Sequence, residues 1–280
     1  MTSIKEKRSR LPETSHIRLA QRGPLLELWL DRPDVRNAMS QQMVLEILAT
    51  FEAIRDDASV RVVMLRGAGG TFCAGGDIKS MAAADAAPAA GAADELKAGN
   101  RRFGTMMDTV NNAPQAVIAA VEGFAMGGGF GLACVADITI ARADAVFAMT
   151  EVTIGVVPAA ISPFVVRRIG LTAARRFGVS GARLNGIEAR EIGVAHLCVP
   201  DAAGLDAEVR QAINQILRCA PGAVAATKRL MLRAAGPSPM PELLDEAAEC
   251  FAGAVRSPEG REGTRAFVEK RKPSWYLQVE

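Results

Sequence analysis

Apolar and polar positions alternate along this chain in two different rhythms. Leu25 to Asp31, LLELWLD, repeats with period two and predicts a strand. Ser40 then stands at a helix N-cap position, and Met43, Val44, Ile47, Leu48, Phe51 and Ile54 recur at helical spacing. Arg61 to Arg66, RVVMLR, predicts a second strand, and the glycine-rich loop GAGGTFCAGGD follows it. A helix is predicted from about Asp94 to Asn112. Ala116 to Val121, AVIAAV, is a continuous apolar run of strand length, as in a parallel sheet buried on both faces. A second glycine turn, EGFAMGGGFGLA, comes next, and then a short strand in DITIA. Strand, helix and glycine turn therefore repeat with drift, which predicts an α/β layer fold with parallel crossovers.

From about Leu205 the strand patterns stop. Amphipathic helical patterns replace them, punctuated by Pro221, Gly236, Pro237, Pro239, Pro241 and Pro258. The chain is accordingly divided into a loose tail over 1–20, a sheet-based core over 21–200 and a helical C-terminal region over 201–280. The tail begins MTSIKEKRSRLPETSH, which is charged, has no apolar stretch behind it and does not read as a secretory signal. The alanine-rich stretch from Met81 to Asp94 is expected to be a surface loop.

Composition narrows the function classes. Hydrophobic residues are 49% of the 280 and charged residues 23%, enough apolar material for a globular core. No apolar run of about 18 residues is free of charges and turn signals, so no membrane span is predicted. Lys plus Arg is 33 against 31 for Asp plus Glu, too balanced for a nucleic-acid footprint. Five cysteines at spacings foreign to zinc or redox motifs fit a reduced, cytoplasmic protein with no metal. Only two histidines exist. His16 falls in the tail, and His196, within GVAHLCV, is expected to be a satisfied buried histidine.

The candidate chemistry lies in the two glycine turns, Phe72 to Lys79 and Gly123 to Leu132. Neither matches a dinucleotide or nucleoside-triphosphate fingerprint, and no G-x-S-x-G elbow is present. Each follows an apolar strand and opens a predicted helix, whose first N–H groups have no internal partner. Two such turns side by side can offer two N–H donors to one oxygen, as an oxyanion hole does.

RPDVRNAMS, FCAGGDIKSM, AVEGFAMGGGFGLACVADITIA, FAMTEVTIGVVP and FVEKRKPSW, in this order from about residue 25 to 275, resemble the enoyl-CoA hydratase/isomerase (crotonase) superfamily. Within it, GGGFGLAC, PFVVRRIG and RCAPGAVAATK look most like hydratases of carboxylated, branched enoyl-CoAs, the isohexenylglutaconyl-CoA and bacterial methylglutaconyl-CoA hydratases. The resemblance implies a spiral of ββα units with C-terminal helices that form a homotrimer or a dimer of trimers. It implies an acyl-CoA substrate and no cofactor beyond the CoA the substrate carries. It assigns the oxyanion donors to the backbone N–H groups of Gly76 and Gly128, and general acid/base work to Glu151. CoA contacts would fall on Val35, Arg36, Ala74, Ile78 and Lys79, with Lys270 reaching a neighbouring subunit. Asp77 is read as a helix cap, Cys73 as packing and Glu122 as structural. Gly131 departs from the pattern, because many relatives carry a second glutamate there. The missing side chain is expected to widen the pocket beside substrate C3. A second departure is Pro158 to Ser162, PAAIS, where many members have a glycine-rich loop. The same-fold alternatives are an isomerase that moves a proton between C2 and C4, and an acyl-CoA-binding protein without catalysis.

Overall fold

The computed structural model describes residues 11–77 and 94–279. Its strands are β1 (Ile17–Arg22), β2 (Leu25–Leu30), β3 (Val62–Gly67), β4 (Ala116–Val121), β5 (Phe124–Met126), β6 (Ile138–Arg142), β7 (Val146–Ala148), β8 (Arg183–Leu184) and β9 (Leu197–Val199). Six of them form one sheet in the order β1-β2-β3-β4-β6-β9, antiparallel only between β1 and β2. A smaller sheet has the order β5-β7-β8. The described helices are α1 (Gln41–Ile54), α2 (Glu95–Asn111), α3 (Gly128–Val135), α4 (Ser162–Ser180), α5 (Gly186–Glu191), α6 (Ala202–Leu217), α7 (Pro221–Ala234), α8 (Met240–Arg256) and α9 (Pro258–Val268). Every described element after β9 is a helix, and no described helix is long and apolar enough to cross a membrane.

The unbroken apolar run of β4 has a direct cause. Its residues are all buried, and they divide between two cores. Val117, Ala119 and Val121 pack with α1 and α2, through Met43, Ile47, Phe51, Met106 and Val110. Ile118 and Ala120 face the other way, onto Leu205, Val209, Ile213 and Leu217 of α6. β3 is shared in the same manner, Val63 and Leu65 on one face and Val62 and Met64 on the other. Side chains of a strand alternate, so covering both sheet faces with helices demands apolar residues at every position. Ser40 caps its helix as expected, and Asp94 does the same at the start of α2. Ser40 Oγ accepts from the Met43 N–H, and Asp94 accepts from the Lys97 N–H.

Two expectations are corrected. The supposed tail over 1–20 contains most of β1, which pairs with β2 from Ile17↔Leu30 onward. It is anchored by Glu46 of α1, whose carboxylate accepts the N–H groups of Ser15, His16 and Ile17 at 2.9–3.0 Å and the Ser15 hydroxyl at 2.8 Å. A charged start concealed a strand that pairs with β2 and whose first residues are held by one buried glutamate. His196 is exposed rather than buried, because β9 is the sheet edge. Its Nδ1 still accepts the Thr139 N–H at 2.9 Å. The alanine-rich stretch lies outside the described residues up to position 93.

The C-terminal helices are tied to the sheet by a buried arginine and a partly buried ion pair. Arg61, just before β3, donates to the carbonyls of Trp275, Leu217 and Cys219. Lys228 of α7 pairs with Asp137 at 2.7 Å, and Asp137 also accepts the Val117 N–H.

Burial alone would raise the pKa of Glu46. Hydrogen bonds from Gln42, Ser15 and His16 outweigh it and hold the carboxyl below its ordinary value. A lowered folded-state pKa stabilises the fold above the unfolded glutamate's value of about 4.3, and that stability is lost as pH falls through the folded value. Glu46→Gln is expected to cost about 1.5–3 kcal/mol at pH 7, as for hydrogen bonds to a charged group. The deficit relative to wild type should shrink below about pH 4, and urea unfolding at both pH values measures it.

Candidate active site

β3 and β4 are adjacent and parallel, so the loops that leave their carboxyl ends emerge side by side. Backbone hydrogen bonds then join those loops. Phe72 N–H donates to the Glu122 carbonyl at 2.8 Å, Cys73 N–H to Phe124 at 2.7 Å, and Met126 N–H to Cys73 at 2.9 Å. A third segment joins them, because Gly75 accepts the Met39 N–H and Met39 accepts the Asp77 N–H. In that parallel bridge Gly76 lies opposite Met39, so its own N–H points away from Met39. Gly128 is the first residue of α3, where an N–H has no acceptor within the helix. Neither N–H has a hydrogen-bond partner among the described residues. The structure thus brings Gly76 and Gly128 onto adjoining turns with both donors uncommitted.

Glu151 reaches the same place by another route. Gly127 N–H donates to the Ala148 carbonyl at 2.9 Å and fixes the end of β7 against the second turn. Three residues later Glu151 opens a short 3-10 turn, Glu151–Ile154. Gly127 has φ +49°, and a Cβ there would stand 2.8 Å from Glu151 Oε1 and 3.5 Å from Gly75 Cα. Only glycine leaves room for the carboxylate between the turns. Glu151 Oε2 is buried with no hydrogen-bond partner among the described residues. Desolvation pushes the pKa of this carboxyl up, opposed only by its own backbone N–H. An underbonded, desolvated carboxyl beside two free N–H donors can exchange a proton with a bound group while the donors hold an oxygen.

The remaining predicted positions sort differently. Arg36 has φ +51°, and its carbonyl accepts the Ala74 N–H at 3.0 Å, which sets these two residues together at the rim. The Arg36 guanidinium is exposed and stacks on the Phe124 ring at 5.7 Å. Val35 is half-buried in the adjacent turn. Asp77 forms an ion pair with Arg32 at 3.1 Å. Ile78 and Lys79 lie outside the described residues, as does the helix that Asp77 was expected to cap. Lys270 follows α9 with φ +54°, and no described hydrogen bond or ion pair links it to the glycine turns. The thiol of Cys73 is wholly buried, and burial pushes it up to about 12, so it is no nucleophile. It fills the space where Gly129 lacks a side chain, 2.7 Å between the would-be Cβ and the Cys73 Cβ.

The expected widening at Gly131 does not occur. A Cβ there would meet Ile161 Cγ2 at 2.5 Å and Met107 Cε at 3.0 Å. Ile161, from the divergent PAAIS segment, occupies the volume that a larger residue at 131 would need. The two segments that depart from the expected pattern therefore meet, Ile161 standing where a side chain at 131 would be.

One contributor was missed. Asn37 is fully buried, and its amide donates to the carbonyls of Ala68 and Thr71 while its oxygen accepts the Arg32 N–H. It locks the Arg36 turn onto the loop after β3, and the only sequence signal was one asparagine after RPDVR. Glu122 has the structural role expected of it: it pairs with Arg66 at 3.0 Å and Arg142 at 3.5 Å, and so pins the start of the second turn to strands on either side. Among the described residues no group of three or more His, Cys, Asp or Glu could hold a metal ion.

Because the folded carboxyl of Glu151 titrates above its ordinary range, its ionisation opposes folding once pH passes the unfolded value. Glu151→Gln is expected to unfold at a higher urea midpoint than wild type at pH 8. The gap should close below about pH 4, where both side chains are neutral.

A family model for enoyl-CoA hydratase/isomerase matches residues 21–278. Carnitinyl-CoA dehydratase of Proteus mirabilis is 34% identical over 266 residues, covering 92% of this chain and 97% of the relative. The human mitochondrial enoyl-CoA hydratase domain-containing protein 2 is 32% identical, covering 90% and 85%. Among solved structures, Pseudomonas aeruginosa AtuE superposes with a TM-score of 0.89 at 49% identity, covering 94% of this chain and all of that one. An enoyl-CoA hydratase/isomerase from Marinobacter aquaeolei gives 0.90 at 50% identity, covering 94% and 99%.

Proposed function

Since the chain belongs to the enoyl-CoA hydratase/isomerase family, with the crotonase fold, we propose that it reversibly adds water across the 2,3 double bond of a 2-enoyl-CoA. The acyl group we infer is C3-branched and carboxylated, of the glutaconyl type, as in isohexenylglutaconyl-CoA or 3-methylglutaconyl-CoA. Neither curated relative above bears a glutaconyl name, and this finer assignment rests on the sequence motifs. The observation that carries the hydratase reading is the convergence of Glu151 with the two glycine turns, one carboxyl beside two uncommitted N–H groups.

In this mechanism the N–H groups of Gly76 and Gly128 hold the thioester oxygen. Glu151 takes a proton from water as the hydroxide oxygen bonds to C3. The double-bond electrons move toward the thioester, and the oxygen becomes an enolate oxygen held by the two donors. Glu151 then returns the proton to C2, so one carboxyl serves both directions. Donors fixed before the reaction are worth about 3–4 kcal/mol each to such an oxyanion. CoA is part of the substrate, and the addition requires no other cofactor. The absence of a second carboxylate at Gly131 supports a second reading, proton movement between C2 and C4 by Glu151 alone, which is isomerisation. The apolar side chains of Phe251, Phe267 and Val268, 72–85% exposed on α8 and α9, support self-association as a trimer or dimer of trimers. Sedimentation equilibrium should then give three or six times 29.5 kDa.

Hydration is followed by loss of enoyl-thioester absorbance with crotonyl-CoA and 3-methylglutaconyl-CoA. Turnover of the branched substrate, little of crotonyl-CoA, and a loss of about a hundredfold or more in kcat for Glu151→Gln are expected. No turnover of either ester by a protein that still binds them overturns the hydratase reading for these substrates.

A further inference from the structure

Phe103 takes part in no proton transfer, yet it stands beside one of the two donors. Gly128 opens α3, where its N–H has no acceptor within the helix. A Cβ at Gly128 would meet the Phe103 ring, Cζ at 2.8 Å and Cε2 at 3.2 Å, and Met39 Sδ at 3.2 Å. The Cα–Cβ bonds of a helix tilt toward its amino end, so the ring lies at the same end of α3 as the free N–H. Standard bond lengths put a Cβ about 2.5 Å from its own nitrogen, which leaves the ring tip within about 5.5 Å of the Gly128 nitrogen. An oxygen that accepts this N–H sits about 2.9 Å from the same nitrogen.

The ring is held from behind. Phe103 is half-buried on α2 and packs against the main apolar core. Arg102 Nη1 donates to Gln41 Oε1 at 3.0 Å, which ties α2 to the start of α1. Gly99 leaves room for the Gln41 amide, 2.7 Å from a would-be Cβ, and Gly104 faces the Ala160 Cβ at 3.8 Å. Met39 is 5% exposed, and its backbone forms the bridge to Gly76. Met39 therefore spans the two donor turns, and Phe103 extends that apolar wall beside Gly128.

A thioester held through its carbonyl oxygen brings C2 and C3 of its acyl group along, two and three bonds from that oxygen. Glu151 borders the same place through Gly127, where its Oε1 is 2.8 Å from a would-be Cβ. The carboxyl can move a proton, whereas the ring has no polar atom and acts by filling space. Exclusion by volume is a strong filter at short range, since one methylene in an apolar pocket is worth about tenfold to two-hundredfold in discrimination. We propose that Phe103 is a specificity-determining residue, which limits the bulk at C2 and C3 of the acyl group that the two glycine turns accept. One methyl at C3 is admitted, and a C3 carrying two is refused. The inference rests on acyl-CoA binding at the glycine turns and not on hydration.

Saturated esters bind without reacting, so the test does not depend on turnover. Calorimetric titration gives Kd for butyryl-CoA and 3,3-dimethylbutyryl-CoA with wild type, Phe103→Ala, Phe103→Leu, Phe103→Trp and Val110→Ala. Val110, on the same helix, is fully buried in the core, so its variant controls for a loosened α2. Circular dichroism checks the folding of each. Wild type is expected to bind butyryl-CoA at least about tenfold more tightly than the dimethyl ester. That ratio should fall to about threefold or less in Phe103→Ala, lie between in Phe103→Leu and rise in Phe103→Trp, while Val110→Ala leaves it unchanged. A wild-type ratio near one, an unchanged ratio in folded Phe103→Ala and Phe103→Leu, or an equal shift in Val110→Ala overturns the role of Phe103 and leaves acyl-CoA binding intact. No binding of either ester by wild type overturns the acyl-CoA reading itself, and the role of Phe103 with it.

Discussion

Backbone pairing between the loop after β3 and the loop after β4 is the constraint on which the rest of the site depends. Phe72, Cys73 and Met126 supply its three hydrogen bonds. They convert two adjacent strand ends into one rigid shelf of glycines. Everything chemical is then positioned relative to that shelf. The Met39 segment closes one side, and the Gly127 to Ala148 bond attaches β7 and so delivers Glu151. Glu122 stands at the start of the second loop between Arg66 and Arg142, with Arg66 extended to Asp206 on α6. A shift of the second turn would disturb an ion network spanning the sheet and a helix behind it.

The division of the sheet into two apolar faces matters for the same reason. α1 and α2 cover one face and α6 the other, so the strand ends cannot flex independently of the layers that bury them. Arg61 and the Lys228–Asp137 pair then connect the C-terminal helices to the amino ends of the same strands. The C-terminal region is thereby held by directional polar contacts as well as by apolar packing.

Much of this architecture was legible in the chain itself. AVIAAV announced a strand buried on both faces, and the helix after Ser40 announced its cap, because periodicity and capping are local properties. The glycine turns were visible as donors, since an N–H at a helix start needs no tertiary information to be free. What escaped was set by contacts between distant residues. β1 lay hidden in a charged segment because its support is Glu46, about thirty positions away. His196 read as buried because an apolar neighbourhood in sequence does not reveal a sheet edge. Asn37 carried no pattern at all. Gly131 misled most directly. The absence of a side chain suggests space, but space is decided by whichever neighbour moves in, and Ile161 is thirty residues downstream.

That neighbour makes positions 131 and 161 one unit of volume. A larger residue at 131 collides with Ile161 as it is packed here, while a smaller one at 161 leaves a void beside Gly131. Either change alone costs packing, and the pair is best tolerated when both change together with their summed volume kept. A side chain set thirty residues away thus decides which residues position 131 can accept.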